Sequence, residues 1–244
     1  MHIYCIHITN LLDEAEFNEL IQYVSPDKKA KIQRFRKPID AVRSLLGDLI
    51  IRTILCRHYG LTNDEIHYEY QEFGKPYLPH HPLLHFNISH SGDWVVGVVS
   101  TNIIGIDIEK ITEVKENFVS LALCAEEDRQ LQSLHETDRH SFFFKLWTLK
   151  ESYVKAIGTG LSEGLNTLEI TMDNEDIIMK KNEKPIPAYF ETMELQQGYQ
   201  FSLCSLSENT YQDIQVFSLQ EFIEEVNIFL PAPDYQEFFI HKTQ

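Results

Sequence analysis

No stretch of this sequence approaches the roughly 18 consecutive apolar residues of a membrane-crossing helix. Its first residues, Met1-His2-Ile3-Tyr4-Cys5-Ile6, lack the basic segment and apolar run of a secretory leader. Cysteine is scarce: Cys5, Cys56, Cys124 and Cys204 lie far apart without a CxxC pair, which excludes a dense disulfide framework and suits free thiols in a reducing compartment. A cytoplasmic protein is expected. Basic residues are also in deficit, 21 Lys and Arg against 37 Asp and Glu for a net charge of −16, which argues against partners that need a basic face, nucleic acid or anionic membrane. There is no GxxxxGK(S/T) run, so a P-loop is excluded. No short-period repeat, low-complexity tract or Gly/Pro-rich linker interrupts the 244 residues, which are expected to fold throughout as one large domain or two smaller ones.

What is present is periodic. Phe17, Leu20, Ile21 and Val24 fall at helical spacing within 13–24, and Ser25-Pro26 closes that helix and opens another. A longer helix is predicted over 40–59, with Val42, Leu45, Leu46, Leu49 and Ile50 as its buried stripe and Gly60 as its stop. The apolar runs Trp94–Val99 and Ile103–Glu109, separated by Ser100-Thr101-Asn102, read as a β-hairpin. Within the second run, alternation puts Ile104, Ile106 and Ile108 on one face and Gly105, Asp107 and Glu109 on the other. Residues 142–157 repeat Phe142, Leu146, Leu149, Tyr153 and Ala156 at helical spacing, with Trp147, Glu151 and Lys155 as a row on another side and Gly158-Thr159-Gly160 as the stop. Four strands are expected near 168–172, 188–191, 200–206 and 213–217; the chain from Ser205 onward is acidic and carries no recognisable chemistry.

Three constellations could carry chemistry. From Pro26 to Arg43, seven basic residues (Lys28, Lys29, Lys31, Arg34, Arg36, Lys37 and Arg43) outnumber Asp27 and Asp40, either as a solvated helix face or as an anion site. Gly74-Lys75-Pro76 reads as a turn presenting a cation, and Ser89 with His90 offers hydrogen bonds to an anion. If the strand of Asp107 and Glu109 meets the helix of Glu151, three carboxylates converge; they repel unless a hard cation sits among them, and oxygen donors suit Mg²⁺. Read separately, the strand acids are a wet face and Glu151 with Lys155 an ordinary helix pair.

The ordered set of Gly74-Lys75-Pro76, Phe86-Asn87-Ile88-Ser89-His90-Ser91, Gly105-Ile106-Asp107-Ile108-Glu109 and Trp147-Thr148-Leu149-Lys150-Glu151-Ser152-Tyr153-Val154-Lys155-Ala156 closely resembles the surfactin-type 4′-phosphopantetheinyl transferases. The resemblance implies an α+β fold of two similar α/β subdomains related by a pseudo-two-fold axis. An N-terminal subdomain, 1–104, would carry the basic helix and nucleotide contacts. A C-terminal subdomain, 105–209, would carry the metal and catalytic residues, and 210–244 would be an acidic extension. It further implies a monomer that moves the phosphopantetheine arm of coenzyme A, bound in the cleft between the subdomains, onto a serine of an apo acyl or peptidyl carrier protein, with 3′,5′-ADP released. Such carriers serve nonribosomal peptide synthesis, including antibiotic biosynthesis, polyketide synthesis or fatty-acid synthesis.

Carried over residue by residue, Asp107, Glu109 and Glu151 would hold Mg²⁺, and Lys155 would neutralise the transferring phosphoryl group. Lys28, Lys31, Arg43, Ser44 and His90 would surround the 3′-phosphate and its neighbours, and Lys75 and Ser89 would complete the nucleotide and pyrophosphate contacts. Glu127 matches an acidic position where the serine proton could be taken, with Glu151 or a metal-bound hydroxide as alternatives. Residues about 111–128 are expected to help dock the carrier.

Overall fold

The computed structural model describes residues 1–173, 176–208 and 214–230. The chain opens with β1 (His2–His7), α1 (Glu14–Leu20), α2 (Pro26–Ile32) and the long α3 (Pro38–Tyr59). After it come the short strands β2 (Glu69–Tyr70) and β3 (Pro76–Tyr77), then β4 (His85–Ser91) and β5 (Trp94–Ser100). A second series follows: β6 (Ile104–Lys110), α4 (Glu116–Ala122), α5 (Ala125–Ser133) and the long α6 (Glu136–Ile157). The strands β7 (Leu168–Asp173), β8 (Asp176–Lys181), β9 (Lys184–Pro185), β10 (Tyr189–Met193) and β11 (Tyr199–Ser205) complete it. Last come β12 (Ile214–Ser218) and α7 (Leu219–Phe229).

Local chemistry sets these boundaries. Asp13 caps α1 by accepting from the Glu16 amide at 2.8 Å while Glu16 reaches back to the Asp13 amide, a reciprocal capping box. Ser25 accepts from the Lys28 amide with Pro26 in the first turn of α2. The long helices α3 and α6, 22 residues each, both end on a left-handed glycine, Gly60 at φ 70° and Gly158 at φ 78°. The basic segment is divided: α2 holds Lys28, Lys29 and Lys31, Arg43 lies on α3, and Arg34, Arg36 and Lys37 fall between the two helices.

The two series repeat one connectivity. In the first, a strand, the long helix and a hairpin give the sheet order β1-β5-β4; in the second the order is β6-β11-β10, and every one of these pairings is antiparallel. This is the α+β architecture of two similar units that the resemblance implied. The helix α3 packs on one face of the first sheet, burying Leu45, Leu46, Leu49 and Ile50. The opposite face meets the second sheet in a shared core of Ile3, Val96 and Val98 against Ile104, Ile106, Ile108 and Phe201. On the far side of the second sheet, α6 crosses β6 and β11.

The hairpin expected from Trp94–Val99 and Ile103–Glu109 does not form. Both edges of β5 are occupied, by β1 and β4, and β6 instead pairs with β11. The Ser100-Thr101-Asn102 link carries the chain from one sheet to the other, because both strands bury an apolar face in the same inter-sheet core. The edge of β6 turned from β11 is satisfied by side chains of β4. Asn87 Oδ1 accepts from the Ile106 amide at 2.9 Å, Ser89 Oγ from Ile108 at 3.3 Å and Ser91 Oγ from Lys110 at 3.1 Å. The two-residue period of strand side chains matches the two-residue spacing of outward amides on the neighbouring strand, so these three backbone donors each find a side-chain acceptor.

Residues 214–230 return to the first unit. There β12 runs parallel to β1, from Ile3↔Ile214 to His7↔Ser218, and α7 buries Leu219, Phe222 and Val226 in the α3 core. Residues 210–213 and 231–244 of the acidic extension lie outside the described residues.

Candidate active site

The face of β6 that carries Gly105, Asp107 and Glu109 is turned toward α6, where Trp147, Glu151 and Lys155 stand one above another. A cleft of about 290 Å³ is lined by these groups together with Ser89 and His90 of β4. Asp107 is buried; its Oδ1 accepts from Lys155 Nζ at 2.5 Å and from Ser89 Oγ at 2.8 Å. Its Oδ2 is buried without a hydrogen-bond partner, as is Glu151 Oε1. Glu109 is steadied by Ser91, whose hydroxyl donates to Oε2 at 2.7 Å. Among the described residues, no three His, Cys, Asp or Glu side chains are gathered closely enough to hold a metal ion as they stand.

Burial, followed by the negative charge of Asp107, pushes the Glu151 carboxyl from its ordinary 4.5 up to about 7, against the pull of Lys155. The same two causes raise Glu109, with the Ser91 and Trp147 hydrogen bonds and the Lys155 charge opposing. A carboxyl raised in the folded state holds a proton that the unfolded chain releases near 4.5, so its contribution to stability is complete below that pH and is lost as pH rises through about 7. In chelator, the Tm of the wild type is therefore expected to fall by roughly 3 °C or more relative to Glu151→Gln between pH 5 and 8. Parallel Tm curves for the two proteins would show that Glu151 is not under this strain.

Lys155 brings a positive charge to the same cleft, and the imidazole of His90 lines it too. His90 is held below its ordinary pKa first by burial, then by the charges of Arg43 and Lys155. Arg43 donates to the Gly92 carbonyl in the turn after β4 and pairs with Asp40 at 3.3 Å, while its buried Nε has no partner. The turn is held from the other side as well: the Tyr199 hydroxyl accepts from the Asp93 amide at 3.0 Å, and Lys110 pairs with Asp93 at 3.4 Å. Anionic and cationic groups thus face one space, as a phosphate ester with a counter-ion requires.

The family model described as 4′-phosphopantetheinyl transferase superfamily matches residues 103–204, and that described as 4′-phosphopantetheinyl transferase, N-terminal, matches residues 13–102. The chain is 33% identical over 224 residues to the 4′-phosphopantetheinyl transferase Sfp of Bacillus subtilis (strain 168), covering 91% of this chain and all of that protein. It is 37% identical over 228 residues to the 4′-phosphopantetheinyl transferase gsp of Aneurinibacillus migulanus, covering 93% and 94%. The chain belongs to the 4′-phosphopantetheinyl transferase superfamily. Among solved structures, a holo-(acyl-carrier-protein) synthase of Bacillus anthracis superposes with a TM-score of 0.37 at 20% identity, covering 42% of this chain and 92% of that one.

In this phosphopantetheinyl transferase the two matched stretches meet at the cleft, Ser89 and His90 coming from the first and Asp107, Glu109, Glu151 and Lys155 from the second. Other residues singled out in the sequence stand elsewhere. Lys28 is lowered first by burial, with the charge of Asp48 opposing and those of Lys31 and Arg52 reinforcing; Asp48 and Arg52 form a buried pair on α3 at 2.7 Å. Ser44 follows Arg43 on α3 and is half-buried. Lys75 donates to the carbonyls of Ala156 at 2.5 Å and Ile104 at 3.4 Å in a neighbouring cavity of about 250 Å³. Burial lowers its pKa to about 8.

Glu127 does not line the cleft. It has no exposed surface, pairs with Lys150, and accepts from the amides of Cys124 and Ile170. Both of its oxygens are thus engaged within the core rather than turned to the cleft. Ser91 was passed over, although its place two residues beyond Ser89 on the same strand face was the available signal. Lys150 gave no signal, since its partner lies 23 residues away.

Proposed function

We propose that this transferase attaches the phosphopantetheine arm of coenzyme A to a serine of an acyl or peptidyl carrier protein. The serine oxygen bonds to the phosphorus that bears the pantetheine arm, the pyrophosphate bond at that phosphorus breaks, and 3′,5′-ADP departs with its electron pair. The observation that carries the reading is one cleft in which Asp107 Oδ2 and Glu151 Oε1 are buried without partners beside the Lys155 ammonium and His90.

Three oxygen-donor side chains, two of them with an orphaned buried oxygen, fit a hard divalent cation better than they fit one another. Asp107, Glu109 and Glu151 would hold Mg²⁺, which when bound supplies positive charge at the pyrophosphate. Lys155 lies against the phosphoryl oxygens, where a fixed cation stabilises charge that grows in the transition state. Glu151, which lines the same cleft, receives the serine proton. His90, Arg43, Lys28 and Lys31 surround the 3′-phosphate, and Ser44, Lys75 and Ser89 complete the nucleotide contacts. The division of labour follows the chain: 1–104 binds the nucleotide and 105–209 carries the reacting groups, with 214–230 bracing the former. Since both walls of the cleft come from one chain, we assign a monomer, and the four free cysteines suit the reducing cytoplasm; no helix among the described residues is long and apolar enough to cross a membrane.

The carrier docks beside the acids. A cavity of about 250 Å³ shares Glu109 and Trp147 with the cleft and continues over Val114, Phe118 and Phe143. Phe118 and Leu121 are exposed, so an acidic enzyme can meet an acidic carrier through apolar contact. The test is a mass-shift assay with coenzyme A and apo-carriers of fatty-acid, polyketide and nonribosomal peptide synthesis. A gain of one phosphopantetheine is expected; breakdown of coenzyme A without labelling of any carrier points instead to a phosphodiesterase.

The nucleotide contacts predict a second result. Lys28→Ala with Lys31→Ala is expected to weaken coenzyme A binding about tenfold or more, the worth of a charge-assisted contact, with the rate at saturation within roughly threefold of wild type. Dephospho-coenzyme A should bind the two proteins alike. Equal affinity of the wild type for both nucleotides would remove the 3′-phosphate contact.

A further inference from the structure

Lys150 and Glu127 form the most deeply buried ion pair among the described residues, with both side chains at 0% exposure and Nζ 2.5 Å from Oε2. Both groups are also tied to backbone. Lys150 Nζ donates to the carbonyl of Ala122, the last residue of α4, at 2.8 Å. Glu127 Oε2 accepts from the Cys124 amide at 2.9 Å, and Oε1 from the Ile170 amide at 2.8 Å. One ammonium and one carboxylate therefore join the end of α4, the start of α5, the middle of α6 and β7.

The chemistry proposed above uses neither group. Buried ion pairs are expensive, and apolar residues of similar volume often serve stability as well. An apolar side chain could not, however, hold the Ala122 carbonyl, which sits at a helix C-terminus where intrahelical partners run out. The place of this tie gives it a consequence. Lys150 adjoins Glu151 in sequence, and one turn earlier on α6 Trp147 meets Phe118 of α4 edge-on, ring centroids 6.4 Å apart. So α4 is fixed on α6 at two points, and with it the segment 112–118 that borders the cavity beside Glu109.

We infer that the Glu127–Lys150 pair is a positioning device: by holding the Ala122 carbonyl it sets where α4 stands relative to Glu151, and so where the serine of the carrier is presented. This rests on the carrier reading above. Neither residue lines the cleft or the cavity beside it, so the effect falls on the acceptor and spares the nucleotide.

Two variants test it. Lys150→Met removes the donor to Ala122 and leaves Glu127 unpaired; Glu127→Leu with Lys150→Met removes both charges and gives a folded comparator. In both, the KM for the carrier is expected to rise about tenfold, as a misplaced acceptor should, with the Kd for coenzyme A measured calorimetrically without carrier staying within roughly twofold of wild type. Amide exchange of residues 116–122 should quicken in the folded variants. A folded double variant that keeps its carrier KM and its exchange rates would mean that the pair does not set the place of α4, and the inference falls. If the wild type labels no carrier, the transfer reading has failed instead, and the exchange rates of the same variants decide whether the pair holds α4.

Discussion

Replacing Asp107 with alanine should leave a folded protein that labels its carrier about 10²–10³-fold more slowly, the loss seen when one fixed transition-state contact is removed. The fold should tolerate the change because Asp107 sits where burial works against it: Oδ2 has no partner, and the adjacent acids repel it. Removing the carboxylate relieves Glu151 and Glu109, and Lys155, whose side chain is 26% exposed, can hydrate its ammonium. Function has no such relief. Asp107 Oδ1 aligns Lys155 and Ser89, and Oδ2 is left without a partner, as a cation ligand would be. Asp107→Asn separates charge from shape, since an amide oxygen can still accept from Ser89 but cannot replace the negative charge. Both variants should therefore lose activity to the same extent, measured as carrier mass gain per unit time at saturating Mg²⁺ and coenzyme A, with thermal melts confirming the fold. Near-normal labelling by well-folded Asp107→Ala would remove the metal assignment and the reading built on it.

How far the site could be read from the sequence depended on whether each feature was local. The alternation from Ile104 to Glu109 and the row Trp147, Glu151, Lys155 are periodicities within one element, and the structure places Asp107 and Glu109 of the first and all three of the second on the cleft. The ends of α3 and α6 were equally plain, because only a residue free to adopt positive φ closes a helix in that way. Pairing between distant elements was not legible. The first strand, His2–His7, is buried on both faces, with Tyr4 and Ile6 toward α3 and Ile3 and Cys5 toward the second sheet. Its pattern is therefore a continuous apolar run without the alternation that betrays a half-buried strand. Its neighbour β12 arrives from more than 200 residues later. The mistaken β5–β6 hairpin has the same origin, since adjacency in sequence suggested a pairing that the two-sheet core forbids. For Glu127 the resemblance supplied a position, but it carried no information about Lys150, which engages that carboxylate in the core.

Gly105 to alanine should cost more stability than any other glycine-to-alanine change in the helix-packed strands. A Cβ there would lie 2.0 Å from the Ser152 carbonyl oxygen and 2.5 Å from the Ala156 amide nitrogen. These are backbone atoms of α6, with no flexible side chain to give way, so the strand and helix must part. Gly97 in β5 is also tight, but its nearest obstacle is the Ile50 side chain at 2.5 Å, which can change rotamer. Overpacking a close-packed contact costs roughly 1–3 kcal/mol and more where backbone must shift. At about 2–4 °C per kcal/mol for a chain of this size, the Tm of Gly105→Ala should drop by about 6–12 °C. Gly60→Ala is the control: at φ 70° with nothing within 4 Å of the new methyl group, it meets only the left-handed strain of roughly 1–2 kcal/mol. The functional consequence is separable from the melt. The strand that carries Gly105 also carries Asp107, and the helix it would displace carries Glu151 and Lys155, so labelling should collapse well below the temperature at which Gly105→Ala unfolds. A variant that melts within about 2 °C of wild type, less than the shift expected from 1 kcal/mol, and labels normally would mean that β6 and α6 are not held at this separation. The convergence of the acids on Lys155 would then lose its structural cause.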